Sequence, residues 1–174
     1  MAWTSVDLAL GVVGLTDVDP TPGAVGRYPQ FGAKVKGIDP SLGGGEFIFL
    51  KGVASLAVGD VVTYNGNTGA TTRWAGTANT GAPIAVAITT PSSTQGGWFQ
   101  IGGNAVINCT GTVAAGDPAF FSATASVKTA AAAGKQVMGA VADTANGATV
   151  GTITLASTQA VYSIDRPHVQ GQIT

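Results

Sequence analysis

The side chains able to move protons, attack a carbonyl or hold a metal are few in this sequence. His168 is the only histidine, Glu46 the only glutamate and Cys109 the only cysteine. A nucleophilic triad or a conventional Cys/His zinc site would have to be built on His168. It lies in "DRPHVQ" near the C-terminal end, a setting that reads as an exposed tail or contact residue. Paired-carboxylate hydrolysis needs two acids flanking a bond, so Glu46 with an aspartate, or two aspartates. Asp19, Asp39, Asp60 and Asp117 stand beside Gly or Pro. There a short carboxylate bonds nearby backbone and makes a turn. Asp17, Asp19 and Asp39 offer oxygens that calcium accepts, but without the spacing of an EF-hand loop. Cys109, inside the strand-like "AVINCTG", reads as a small buried apolar residue. "AGKQ" lacks the earlier Gly and the following Ser/Thr of a phosphate loop, and the "GGG" at 43–45 leads into a strand pattern rather than a helix. Asn108-Cys109-Thr110 is a formal glycosylation sequon with no secretion signal to use it. The inventory predicts no catalytic residue, no metal and no bound cofactor.

Binding remains. Trp3, Trp74 and Trp98 are the three tryptophans, and Trp74 follows Arg73 after the hairpin-like "NGNTGATT". An exposed tryptophan stacks sugars; a buried one builds a core or a subunit contact. Only 10% of the 174 residues are charged, against about 25% in ordinary domains. Such a surface is either rich in Thr, Ser, Asn, Gln and Gly or covered by partners, and we favour the second. The formal net charge is −1 with the cations scattered, which predicts no nucleic-acid face. "MAWTSVDLALGVVG" has no cation before its apolar run, unlike a signal peptide, and no run approaches the length of a membrane helix.

The elements that position these residues are read from punctuation. Pro20, Pro22, Pro29 and Pro40 exclude a long helix near the start. Residues 1–31 therefore read as an extended arm anchored by Trp3, Leu8, Leu10, Val12, Tyr28 and Phe31. "VDLALG" and "TAAAAGKQ" allow a helical turn each. From Phe31 onward, short strands follow one another to about residue 164, with 165–174 as a tail. "GAKVKGI" sets Lys34, Lys36 and Ile38 on one face and Ala33, Val35 and Gly37 on the other. "EFIFLKG" is apolar on both faces, as in a strand covered on both sides. "DVVTY" ends at Asn65-Gly66, a two-residue hairpin signal. "GWFQIGGNAVINC" is two strands broken at Gly102-Gly103 or one strand with a bulge there. The fold class is all-β: a compact barrel or a jelly-roll-like sandwich of short antiparallel strands behind an extended N-terminal arm.

"GVASLAVGDVVTY" (52–64) and "GTVAAGDPAFF" (111–121) repeat a phrase. Gly59-Asp60 aligns with Gly116-Asp117 at an offset of 57, and further on "PIAVAI" (83–88) matches "VMGAVA" (137–142) and "WFQI" (98–101) matches "TITL" (152–155), both at an offset of 54. Two related units, about 45–101 and 102–155, follow from it.

The stretch "GAKVKGIDPSLGGGEFIFLKGVASLAVGDVVTY" resembles a segment of bacteriophage virion proteins encoded beside major capsid proteins. The pattern falls on Gly32, Val35, Asp39, Pro40, Gly43, Gly45, Glu46, Phe47, Ile48, Phe49, Leu50, Gly52 and Val53. The later "VAAGDPAFFSAT", "GKQVMGAVAD" and "GATVGTITL" are similar to capsid cement or decoration proteins more generally. The resemblance covers residues 30–156. It implies a non-enzymatic virion protein on the outer capsid surface, assembled in the host cytoplasm. Its partners would be the major capsid protein and further copies of itself, a homotrimer in preference to a homodimer. A tail or head-fibre adaptor and a carbohydrate-binding β-module are the alternatives. On this reading Trp3, Tyr28 and Phe31 are the candidate contacts with the capsid or a neighbouring protomer, because large aromatics dominate interface energy.

Overall fold

The computed structural model describes residues 1, 3–5, 14–22, 28–73, 77–122, 124, 126–128 and 130–172. Leu8, Leu10, Val12, the "VDLALG" segment and Trp74 lie outside the described residues. Among the described residues the fold is strands and turns without helix. The arm contributes β1 (Thr4–Ser5) and β2 (Val18–Asp19). β3 (Lys34–Asp39) and β4 (Gly43–Lys51) form the first hairpin, followed by β5 (Val61–Tyr64), β6 (Thr71–Arg73) and β7 (Ile84–Ala87). β8 (Gly96–Thr110) is the longest strand, at 15 residues. After it come β9 (Pro118–Phe121), β10 (Val127–Lys128), β11 (Gln136–Ala142), β12 (Thr149–Val150), β13 (Ile153–Thr154) and β14 (Gln159–Val169). Twelve of these strands share one sheet, and β12 and β13 form a separate two-stranded one. The large sheet is not closed into a barrel as a whole but wraps into a compact, sandwich-like body.

Alternation explains the faces. β3 buries Val35, Gly37 and Asp39 and exposes Lys34, Lys36 and Ile38. In β4, Phe47 through Leu50 are all buried. Phe47 and Phe49 join the cluster of Trp3, Leu15 and Trp98, while Ile48 and Leu50 join that of Phe99 and Ile101. β4 is thus covered on both faces, as its unbroken apolar run requires. A third cluster under the second half of the chain gathers Ile84, Ile107, Phe121, Tyr162 and Ile164.

β8 is one strand with an irregularity, not two. Opposite β4 the register shifts between Glu46 and Phe47, which pair with Gly102 and Gln100 and leave Ile101 as the extra residue. Gly103 follows at φ +86°, and a Cβ there would collide with the Gly44 carbonyl. Only glycine lets the two backbones approach this closely. The β5–β6 hairpin is longer than Asn65-Gly66 alone would make it. Tyr64 pairs with Thr71, and the positive φ falls on Gly69. The Asn65 carboxamide instead accepts the amides of Asn67 and Thr68 and caps the loop.

The repeated phrase marks a repeated pairing scheme. Gly59 and Gly116 have φ of 87° and 89°. Gly59 N–H donates to Ala87 O at 2.8 Å, and Ala87 N–H donates to Asp60 O at 2.9 Å. In the second half Gly116 N–H donates to Ala142 O at 2.7 Å, and Ala142 N–H to Asp117 O at 3.0 Å. The counterpart of Ala142 is therefore Ala87, not Ile88 as the sequence alignment has it. The closing strands differ more. Ile48 pairs with Phe99 and Lys51 with Gly96; their counterparts are Ala105 with Tyr162 and Asn108 with Gln159. The strand equivalent to "WFQI" is thus β14, and "TITL" falls in the β12–β13 hairpin inserted before it. The second unit extends past 155 to β14, which itself runs to Val169, so the first half of the expected tail is sheet. β8 closes the first unit with its first half and opens the second with its other half.

Candidate functional site

The chemistry-capable residues are dispersed. His168 is exposed on β14, opposite Met138, with Nδ1 3.4 Å from the Arg166 carbonyl. Cys109 is buried, its Sγ donating to Ile107 O at 3.2 Å and standing 3.9 Å from the Tyr162 hydroxyl. Burial pushes the Cys109 thiol up, against hydrogen bonds that lower it. Burial also pushes the Tyr162 phenol far up, with Cys109 and Asp117 adding to it. The aspartates close turns. Asp17 accepts the Gly14 amide, Asp19 that of Thr21, and Asp39 those of Ser41 and Leu42. Asp60 and Asp117 accept the amides of Ala57 and Ala114, three residues back in both turns. Among the described residues no group of three His, Cys, Asp or Glu side chains converges as a metal site would.

Asp60 and Asp117 differ in their surroundings. Asp60 is buried, 3.1 Å from Arg73 Nη2. Asn108 Nδ2 donates to it at 3.0 Å and to Val58 O at 3.0 Å. Gln159 in turn donates to Asn108 Oδ1 at 3.0 Å. This polar chain locks the first Gly-Asp turn onto β8 and β14. The second turn is half-exposed, and a Cβ at Gly116 would meet open space.

The arm aromatics are brought together, on the chain's own core. Trp3 is 6% exposed and meets the edge of Phe47 with ring centroids 4.9 Å apart. Tyr28 and Phe31 stack on Phe49 at 6.4 and 5.9 Å and pack against the same cluster. β1 hydrogen-bonds to β3 and β2 to β8, so these parts of the arm are strands of the sheet. Gly37 makes room for this, because a Cβ there would run into Leu15 and Phe47. In this conformation Trp3 has almost no apolar area left for a second protein.

The surface feature that stands out lies elsewhere. The outward face of β3, β4, β8 and β14 holds a groove of about 550 Å³ walled by Lys36, Ile38, Glu46, Asp165 and Arg166, with Gly102 in its floor. Arg166 Nη2 donates to Glu46 Oε2 at 3.3 Å, and the Glu46 side chain lies over the buried Gly102. Arg166 adopts φ +43° immediately before Pro167, where the register of β14 against β11 is irregular. Ile38, Met138 and Val141 are exposed at 52%, 40% and 48%, the first on β3 and the others on β11. The alternation of "GAKVKGI" already placed Lys36 and Ile38 outward. Nothing in "DRPH" announces Arg166, because arginine is not among the residues that favour positive φ. No family model matches the chain, and no curated protein is significantly similar to it.

Proposed function

We propose that this chain is a structural virion protein, a cement or decoration protein that binds the outer surface of a bacteriophage major capsid lattice as a homo-oligomer and stabilises the head. The observation that supports the reading is the construction of β8. One strand of 15 residues, roughly 50 Å long at ~3.3 Å per residue, runs through both β units. It is hydrogen-bonded to β4 along its first half and to β14 along its second. Ladder bonds lie across the strands. Tension applied along β8 therefore loads many of them at once in shear, which suits a protein that holds subunits against internal pressure. The low charge of the chain and the resemblance of the β3–β4 hairpin sequence to capsid-associated proteins agree with this role. The reading has no catalytic step, metal or cofactor in it.

A sugar-binding module is less well supported, since Trp3 and Trp98 are core residues, 6% and 2% exposed. The test is direct. Mass spectrometry of purified particles of the phage that encodes the chain should find it in stoichiometric proportion to the capsid protein. Purified chain should co-sediment with particles stripped of it and raise their bursting temperature. Absence from particles together with failure to co-sediment would sink the proposal.

A further inference from the structure

We propose that the outward sheet face around the groove is a self-complementary surface through which two copies of this chain pair about a two-fold axis. The register lays one row of positions across four neighbouring strands. Lys36 stands opposite Glu46, Glu46 opposite Gly102, and Gly102 opposite Asp165. The row reads cation, anion, no side chain, anion. Glu46 is already balanced by Arg166 at 3.3 Å. Lys36 and Asp165, at the two ends, are exposed and make no salt bridge among the described residues. With adjacent strands about 4.8 Å apart, the two ends are roughly 14 Å from each other and cannot pair within one chain.

A two-fold axis lying in the contact plane, parallel to the strands and running between Glu46 and Gly102, turns the second copy over onto the face and exchanges the ends of the row. It sets Lys36 of each copy against Asp165 of the other, so both unpaired charges are satisfied twice. It sets the Glu46–Arg166 pair of each copy, which lies over that copy's own Gly102, against the same pair of the other copy in the opposite sense, carboxylate towards guanidinium. It brings the Ile38 edge of one copy towards the β11 edge of the other, where Met138 and Val141 are exposed. Charge meets opposite charge and apolar edge approaches apolar edge under a single operation, the signature of an isologous contact. The pairing does not depend on a capsid. In a three-fold assembly it would join one trimer to the next.

The test uses purified full-length protein without capsids. Sedimentation equilibrium over a concentration series should show dimers or an even-numbered multiple, weakened by raising salt. Lys36→Asp and Asp165→Lys should each weaken association on the order of tenfold or more, since each replaces two attractions with two repulsions. The double variant should recover wild-type association. Both positions are exposed, so unchanged circular dichroism and Tm will show that the variants fold. As a second measurement, a chain carrying Lys36→Cys and Asp165→Cys should form disulfide-linked dimers on mild oxidation, because the two sites are too far apart to bridge within one copy. A wild-type chain that stays monomeric at millimolar concentration overturns the proposal. So does an association that the single reversals leave unchanged, or a double variant no better than the singles.

Discussion

The indole of Trp3 fills the space beside Phe47 and Leu15 that the sheet alone would leave open. Trp3→Ala should therefore cost about 3–5 kcal/mol, the range for deleting a large aromatic from a core, read from urea unfolding midpoints at constant m-value. A cost under about 1 kcal/mol would mean that the arm leaves the core readily and its aromatics are free for another surface. At Cys109 and Tyr162 the folded chain holds the protonated forms, both groups having been raised chiefly by burial. Their ordinary values are 9.0 and 10.0. The unfolded chain loses these protons first as pH rises, so it binds fewer protons than the native state and stability falls with pH. Their contribution is intact below about pH 8 and declines from about pH 9 upward. Thermal melts should show Tm dropping across that window, and Tyr162→Phe should flatten the part of the decline above about pH 10.

Equivalent turns in the two units make a comparison that holds local geometry constant. Asn108→Ala removes the amide that donates to Asp60 Oδ1 and to the Val58 carbonyl, leaving the buried Asp60 with only the Ala57 amide and Arg73 on its other oxygen. A cost of about 1–3 kcal/mol is expected. Asp117→Ala removes one turn bond at a half-exposed site and should cost about 0.5–1.5 kcal/mol. Chemical denaturation of the two variants side by side checks the ordering. The turns were legible in the sequence because Gly-Asp states its own backbone requirement: a positive φ and a carboxylate that reaches three residues back. The doubly covered β4 was legible from its unbroken apolar run, and the outward set of Lys34, Lys36 and Ile38 from alternation. The closing strand of the second unit was not. Short apolar segments such as "TITL" and "AVYSI" look alike locally, and only long-range pairing chooses β14 over the inserted hairpin. The length of the β5–β6 loop escaped for a similar reason, since Asn65-Gly66 suggests a tight turn whereas the cap on Asn67 and Thr68 stabilises a wider one.

At the scale of the whole molecule, the all-β class followed from punctuation and period, but the role of the arm did not. Aromatic residues among prolines look the same whether they cover a neighbour or fold back on their own sheet. The groove was hidden because it is a property of register: Gly102 joins its lining only when Glu46 and Asp165 are placed on either side of it. The sharing of β8 by both units has a further consequence for cooperativity. Two repeats joined by a linker can melt one after the other, but two repeats that own opposite halves of one strand cannot. Loss of either half frees an edge of β8 and exposes apolar residues on both sides of it, Phe99 and Ile101 in one direction and Ile107 in the other. Calorimetry should accordingly find a single transition whose van't Hoff and calorimetric enthalpies agree. Native-state hydrogen exchange should give the amides of Trp98–Gln100 and Ala105–Ile107 the same opening free energy. A protein assembled from two copies of one motif would then behave, thermodynamically, as one indivisible unit.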